Sequence, residues 1–158
     1  MTLKNLPDAP PADRVLVLSR TFEAPRELVF NAWTRPEHLV HWFGPNDFTL
    51  PFCESDFCEG GAYRFDMRSP EGADYWVWGS YQEIVPPERL VFTWERDSME
   101  GRPDIRTVVT LTFEEAGART KFTLHHATFG TTADRDGHRG GWTECLERLA
   151  AYVARQSK

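Results

Sequence analysis

Between Asp47 and His126 the chain reads as six successive stretches of period two, each bounded by turn residues. The stretches are 48–53, 62–68, 73–83, 89–95, 105–114 and 119–126. Alternation of apolar and polar residues puts one face of a strand toward a core and the other toward solvent. The breaks carry Glu59-Gly60-Gly61, Ser69-Pro70-Glu71-Gly72, Val85-Pro86-Pro87-Glu88, Glu100-Gly101-Arg102-Pro103 and Ala116-Gly117. Such short connections favour hairpins, and so an antiparallel meander.

Four other segments show a pattern. Residues 14–22 (RVLVLSRTF) are β-branched and aliphatic, which predicts a first strand. After Pro25, Val29 and Trp33 fall four apart, as do Leu39 and Phe43 after Pro36, so two short helices are expected. From about 132–136 to 156, Trp142, Leu146, Leu149 and Val153 form one stripe at spacings of four, three and four. This is a long amphipathic helix. Gly140-Gly141 within it suggests a kink or the close approach of another backbone. The first 13 residues hold three prolines and no periodicity, and are expected to be a mobile tail ahead of a single domain spanning 14–158. The fold class is therefore α+β: seven antiparallel strands curling round one long helix, with two short helices between strands 1 and 2.

At 158 residues the chain suits one domain. No run approaches the ~18 apolar residues of a membrane span. The N-terminal stretch lacks the apolar core of a signal peptide. Lys plus Arg is 18 against 24 for Asp plus Glu, a net charge of -6, so neither nucleic acid nor an anionic membrane is an expected partner. Three cysteines without a CxxC pair suggest free thiols in a reducing cytoplasm.

Alternation assigns the inward faces. Tyr63, Phe65 and Met67 point in, as do Leu90, Phe92 and Trp94, then Val109, Leu111 and Phe113, then Phe122, Leu124 and His126. In YWVWGSYQE, Tyr75, Val77, Gly79 and Tyr81 are placed inside, which leaves Trp76 and Trp78 outside. This inner surface is rich in large aromatics with polar tips, a composition suited to a small-molecule cavity or to a solid aromatic core. The expected cavity wall is Trp33, Trp42, Tyr63, Phe65, Met67 and Tyr81, with Phe92, Trp94, His126, Trp142 and Leu146 completing it. Two outer tryptophans on one strand face make an apolar patch, from which a homodimer through Trp76 and Trp78 is expected.

The stretch FEAPRELVFNAWTRPEHLVHWFGP resembles a known family, as do EGG at 59–61, EIVPPERLVFTW at 83–94, VTLTF at 109–113 and GWTECLERLAAYV at 141–153. It is similar to the START-like (SRPBCC) superfamily, and within it to bacterial proteins resembling the C-terminal domain of the activator of the heat-shock-protein-90 ATPase. The resemblance implies a helix-grip fold whose cavity, in many relatives, holds lipids, hormones or other apolar molecules. Relatives also include aromatases, cyclases and oxygenase domains, so fold alone does not settle function.

No GxSxG, Walker loop, GxGxxG or HExxH occurs, and no catalytic residue, metal site or cofactor is expected. His38 and His41 lie three apart without supporting carboxylates. His125 and His126 point to opposite faces of a strand, so of the two only His126 is a cavity candidate. The expected function is binding of a small apolar or aromatic molecule. A protein-interaction or co-chaperone-like module and a cyclase- or hydrolase-type enzyme are the alternatives.

Overall fold

The computed structural model describes residues 11–98 and 103–156. The strands are β1 (Leu16–Phe22), β2 (Thr49–Ser55), β3 (Ala62–Arg68), β4 (Asp74–Val85), β5 (Arg89–Arg96), β6 (Ile105–Ala116) and β7 (Arg119–Ala127). The helices are α1 (Arg26–Ala32), α2 (Pro36–Leu39) and α3 (Thr132–Gln156). All seven strands join one antiparallel sheet in the order β1-β7-β6-β5-β4-β3-β2. The meander therefore runs in sequence from β2 to β7. β1 closes against β7, while α1 and α2 carry the chain across to the far edge, where β2 begins. Among the described residues, no helix is long and apolar enough to cross a membrane.

The two short helices form where proline sets the backbone. Pro25 caps α1 in an extended conformation, and Pro36 opens α2 at a position where its missing N–H leaves no bond unmade. Val29, Trp33, Leu39 and Phe43 are all buried, as their spacing requires. On α3, Trp142, Leu146, Leu149 and Val153 are buried against the sheet, joined by Cys145 and Tyr152.

The alternation reading of the strands agrees with the burial. Tyr63, Phe65, Val77, Tyr81, Phe92 and Trp94 are buried, and so are the inward residues of β6 and β7. Trp76 and Trp78 fall on the outer face, but neither lies open. The Arg64 guanidinium sits 4.3 Å over the Trp76 ring, Phe52 packs 5.4 Å from it, and Arg106 sits 5.7 Å over Trp78. Cation–π cover of this kind shields indole faces from water.

Two details differ from expectation. α3 runs unbroken through Gly140 and Gly141: a Cβ on Gly140 would meet nothing within 4 Å, and one on Gly141 only Pro45 Cγ at 3.8 Å. No backbone approaches them, so the glycines are not explained by helix packing. Residues 12–14, placed at the end of the tail or the start of β1, form a single 3-10 turn. That turn docks on the start of α3, where Thr132 donates to Asp13 and Arg135 to the Ala12 carbonyl. The rest of the expected tail, residues 1–10, and most of the Glu100-Gly101-Arg102-Pro103 turn lie outside the described residues.

Candidate functional site

A cavity of about 330 Å³ lies between the sheet and the first four turns of α3. Its sheet wall is Met67, Tyr75, Val77 and Trp94. The segment after α2 contributes Phe43, Pro45 and Phe48, and α3 contributes Asp134, His138, Gly141, Trp142 and Cys145. Exposed Ala133 and Gly137 are also on its boundary, so it opens to solvent beside the start of the helix. An open cavity fills with water, and the destabilisation expected of a dry void of this size does not arise. The volume is at the lower end of the range for small-molecule pockets.

The cavity sits nearer the N-terminal end of α3 than the sequence suggested. Of the expected wall residues, Met67, Trp94 and Trp142 line it. Trp33, Tyr63, Phe65, Tyr81 and Phe92 instead close around a void of only about 10 Å³, which a single water would fill at most. They interdigitate because their rings meet edge-on or tilted at centroid distances of 4.9–6.5 Å. The Tyr63 hydroxyl donates to the Thr93 carbonyl and the Tyr81 hydroxyl pairs with Ser55 Oγ at 2.7 Å, so neither tip needs a ligand. Trp42 is fully buried, edge-on to Trp33, with Nε1 donating to the Ala32 carbonyl at 3.2 Å. Leu146, the residue after Cys145, is buried and does not line the cavity.

His126 lies behind the wall in a proton-ordered chain. Trp142 Nε1 donates to His126 Nδ1 at 3.1 Å. An indole N–H is a donor only, so Nδ1 carries no proton and the neutral ring keeps its hydrogen on Nε2. That hydrogen goes to Thr107 Oγ1 at 2.7 Å, whose own hydrogen goes to the Trp94 carbonyl at 2.8 Å. Burial holds the imidazole well below its ordinary pKa, and His138 and His125 add to the effect. Both ring nitrogens are occupied, so His126 holds Trp142 in place from outside the cavity.

His138 repeats the arrangement within the wall. Trp94 Nε1 donates to its Nε2 at 3.2 Å, and its Nδ1 faces the Asp134 carbonyl one helical turn earlier, at 2.8 Å. Trp94 and Trp142 thus each have the ring plane fixed by a histidine, 5.2 Å apart between centroids. Cys145 Sγ accepts the Gly44 amide, and burial pushes its thiol up to about 12, leaving it protonated and unreactive. Burial likewise raises Tyr63 well above the usual tyrosine range and Tyr81 to about 12. Among the described residues no three His, Cys, Asp or Glu side chains are grouped to hold a metal ion.

Asp134 and His138 escaped the sequence reading although they continue the α3 stripe. They stand eight and four residues before Trp142, on its side of the helix. In the sequence the stripe is marked by its apolar residues only.

A curved antiparallel sheet gripping a long helix, with an aromatic cavity between them, defines a helix-grip protein. The family model described as Activator of Hsp90 ATPase homolog 1-like protein matches residues 23–154, and the chain belongs to that family. Solved structures agree. A protein from Chromobacterium violaceum is 28% identical, with a TM-score of 0.78 over 89% of this chain and 96% of its own. The AHSA1 protein from Silicibacter pomeroyi is 28% identical, with a TM-score of 0.77 over 90% of this chain and 99% of its own. A protein from Nitrosomonas europaea, 24% identical, superposes at 0.77 over 92% and 97%, and shows the shared fold. Among curated proteins, none matches the chain.

Proposed function

We propose that the chain binds a small apolar or aromatic molecule in the cavity beside the start of α3, without catalysis. The observation that carries this reading is the cavity itself: about 330 Å³, open at one end and walled by Phe43, Phe48, Tyr75, Trp94 and Trp142. Rings pinned by hydrogen bonds from behind keep the walls apart and the space preformed. Gly141 supports the reading too, since no neighbouring backbone needs a glycine there and any side chain would narrow the space. His126 and Cys145 beside the walls are neutral and already hydrogen-bonded, an arrangement for holding a molecule rather than moving its protons.

Native mass spectrometry of the purified protein is expected to show an adduct of small-molecule mass that denaturation releases. Gly141→Val should lose the adduct and weaken binding of the neutral dye N-phenyl-1-naphthylamine at least tenfold. A wild type that carries no adduct and does not bind the dye would sink this reading.

Self-association through the outer sheet face is a separate proposal. Half-buried Trp76 and Trp78 support it, although Arg64 and Arg106 already give each indole a partner within the chain. Sedimentation equilibrium is expected to show a dimer that Trp76→Ser/Trp78→Ser weakens. A wild type that stays monomeric at high micromolar concentration rejects it.

A further inference from the structure

The polar atoms around the cavity are nearly all engaged. The two indole N–H groups are held by His126 and His138, and both His138 nitrogens are in use. Cys145 Sγ takes the Gly44 amide, and the Gly44 and Pro45 carbonyls take Arg148 Nη1 at 3.0 and 2.8 Å. Arg96, on the same wall, has an interaction of its own.

The Asp134 carboxylate is different. Asp134 lines the cavity and is only 9% exposed. Its Oδ2 is buried with no hydrogen-bond partner, and it makes no ion pair among the described residues. Its position in the first turn of α3 favours a negative charge, and its own N–H is held by Thr131 Oγ1 at 3.0 Å. A buried carboxylate oxygen left without a donor is costly, and a bound donor that draws the Asp134 side chain toward the cavity would remove that cost.

We infer that the ligand carries an amine, and that Asp134 receives its ammonium group while the aromatic walls receive the rest. The inference rests on the cavity-binding reading above. The surrounding rings suit such a cation. Trp94, Trp142, Tyr75 and Phe43 present π systems, and aromatic faces attract organic ammonium groups. Asp134 supplies the charge-assisted hydrogen bond that gives the amine its orientation. Arg96 opposes a cation on electrostatic grounds and would prefer a carboxylate, so the two residues make opposite demands that a matched series of ligands separates.

The series is tryptamine, 3-methylindole and indole-3-acetate, which share one ring and differ in bearing an ammonium, a methyl and a carboxylate. Isothermal titration calorimetry at pH 7 is expected to give tryptamine at least about tenfold tighter binding than 3-methylindole, from one charge-assisted hydrogen bond in a partly desolvated site. In Asp134→Asn, of nearly the same shape, that preference should shrink to about threefold or less while 3-methylindole binds as before. The wild-type ranking decides the sign even if the variant folds poorly. Tryptamine binding no tighter than 3-methylindole, a preference for indole-3-acetate, or a tryptamine preference unchanged in Asp134→Asn overturns the inference alone. If none of the three binds while the protein still carries an adduct or takes up the dye, the inference falls and the cavity reading stands; if there is no adduct and no dye binding either, both fall.

Discussion

Trp142→Ala is expected to destabilise the fold by about 3–5 kcal/mol in urea unfolding, the usual range for deleting a large buried aromatic. The indole is 4% exposed and packs on Trp94, Phe43 and Trp33 at centroid distances of 5.2, 5.9 and 6.1 Å. Its loss also leaves His126 Nδ1 facing no donor, in a place where burial has already made the protonated ring unfavourable. A buried acceptor left unpaired costs about 1–3 kcal/mol. Trp142→Phe keeps an aromatic ring while removing the donor and part of the volume, and it should cost clearly less than the alanine variant. A loss below about 1 kcal/mol for the alanine variant would mean that α3 does not seat this face on the sheet.

Gly79→Ala is expected to cost about 3 kcal/mol or more, at or above the upper end of ordinary overpacking. A Cβ there would lie 2.1 Å from the Thr93 carbonyl oxygen and 2.6 Å from Thr93 Oγ1. Real atoms do not approach so closely, and the obstacle is backbone rather than a movable side-chain tip. Thr93 cannot retreat cheaply. Its carbonyl accepts the Tyr63 hydroxyl, and its Oγ1 accepts the Ser80 amide at 2.9 Å. Forcing β4 from β5 would break both bonds. Gly137→Ala is the control: a Cβ there meets nothing within 4 Å, and alanine in a helix gains about 1 kcal/mol over glycine. Equal unfolding midpoints for the two alanine variants would show that β4 and β5 stand further apart at Gly79 than described.

Much of this architecture is local, and local features are legible in one dimension. Period-two alternation states which face of each strand is buried, and Tyr63, Phe92, Leu111 and Leu124 follow it. Short turns leave successive strands little choice but to pair with each other, so the order from β2 to β7 follows from the spacing of Gly and Pro. The α3 stripe announces its buried side through Trp142, Leu146, Leu149 and Val153. The same arithmetic put Trp76 and Trp78 outside. It could not supply the guanidinium groups over them, because Arg64 comes from a neighbouring strand and Arg106 from β6.

The position of the cavity is not a local property. Tyr63, Phe65, Tyr81 and Phe92 carry the same alternation signal as Met67 and Trp94, yet the first four fill their space and the last two border an open one. The difference depends on which ring edge meets which ring face across strands, and on how the segment from Phe43 to Phe48 and the start of α3 stand off from the sheet. The polar residues of the site were hidden for a related reason. Hydrophobic periodicity marks a buried stripe by its apolar members, whereas Asp134 and His138 occupy that stripe as polar residues. Folding alone makes them neighbours of Trp94 and of the space beside it, since a helix turn, a strand and a loop distant in sequence must come together before that space exists.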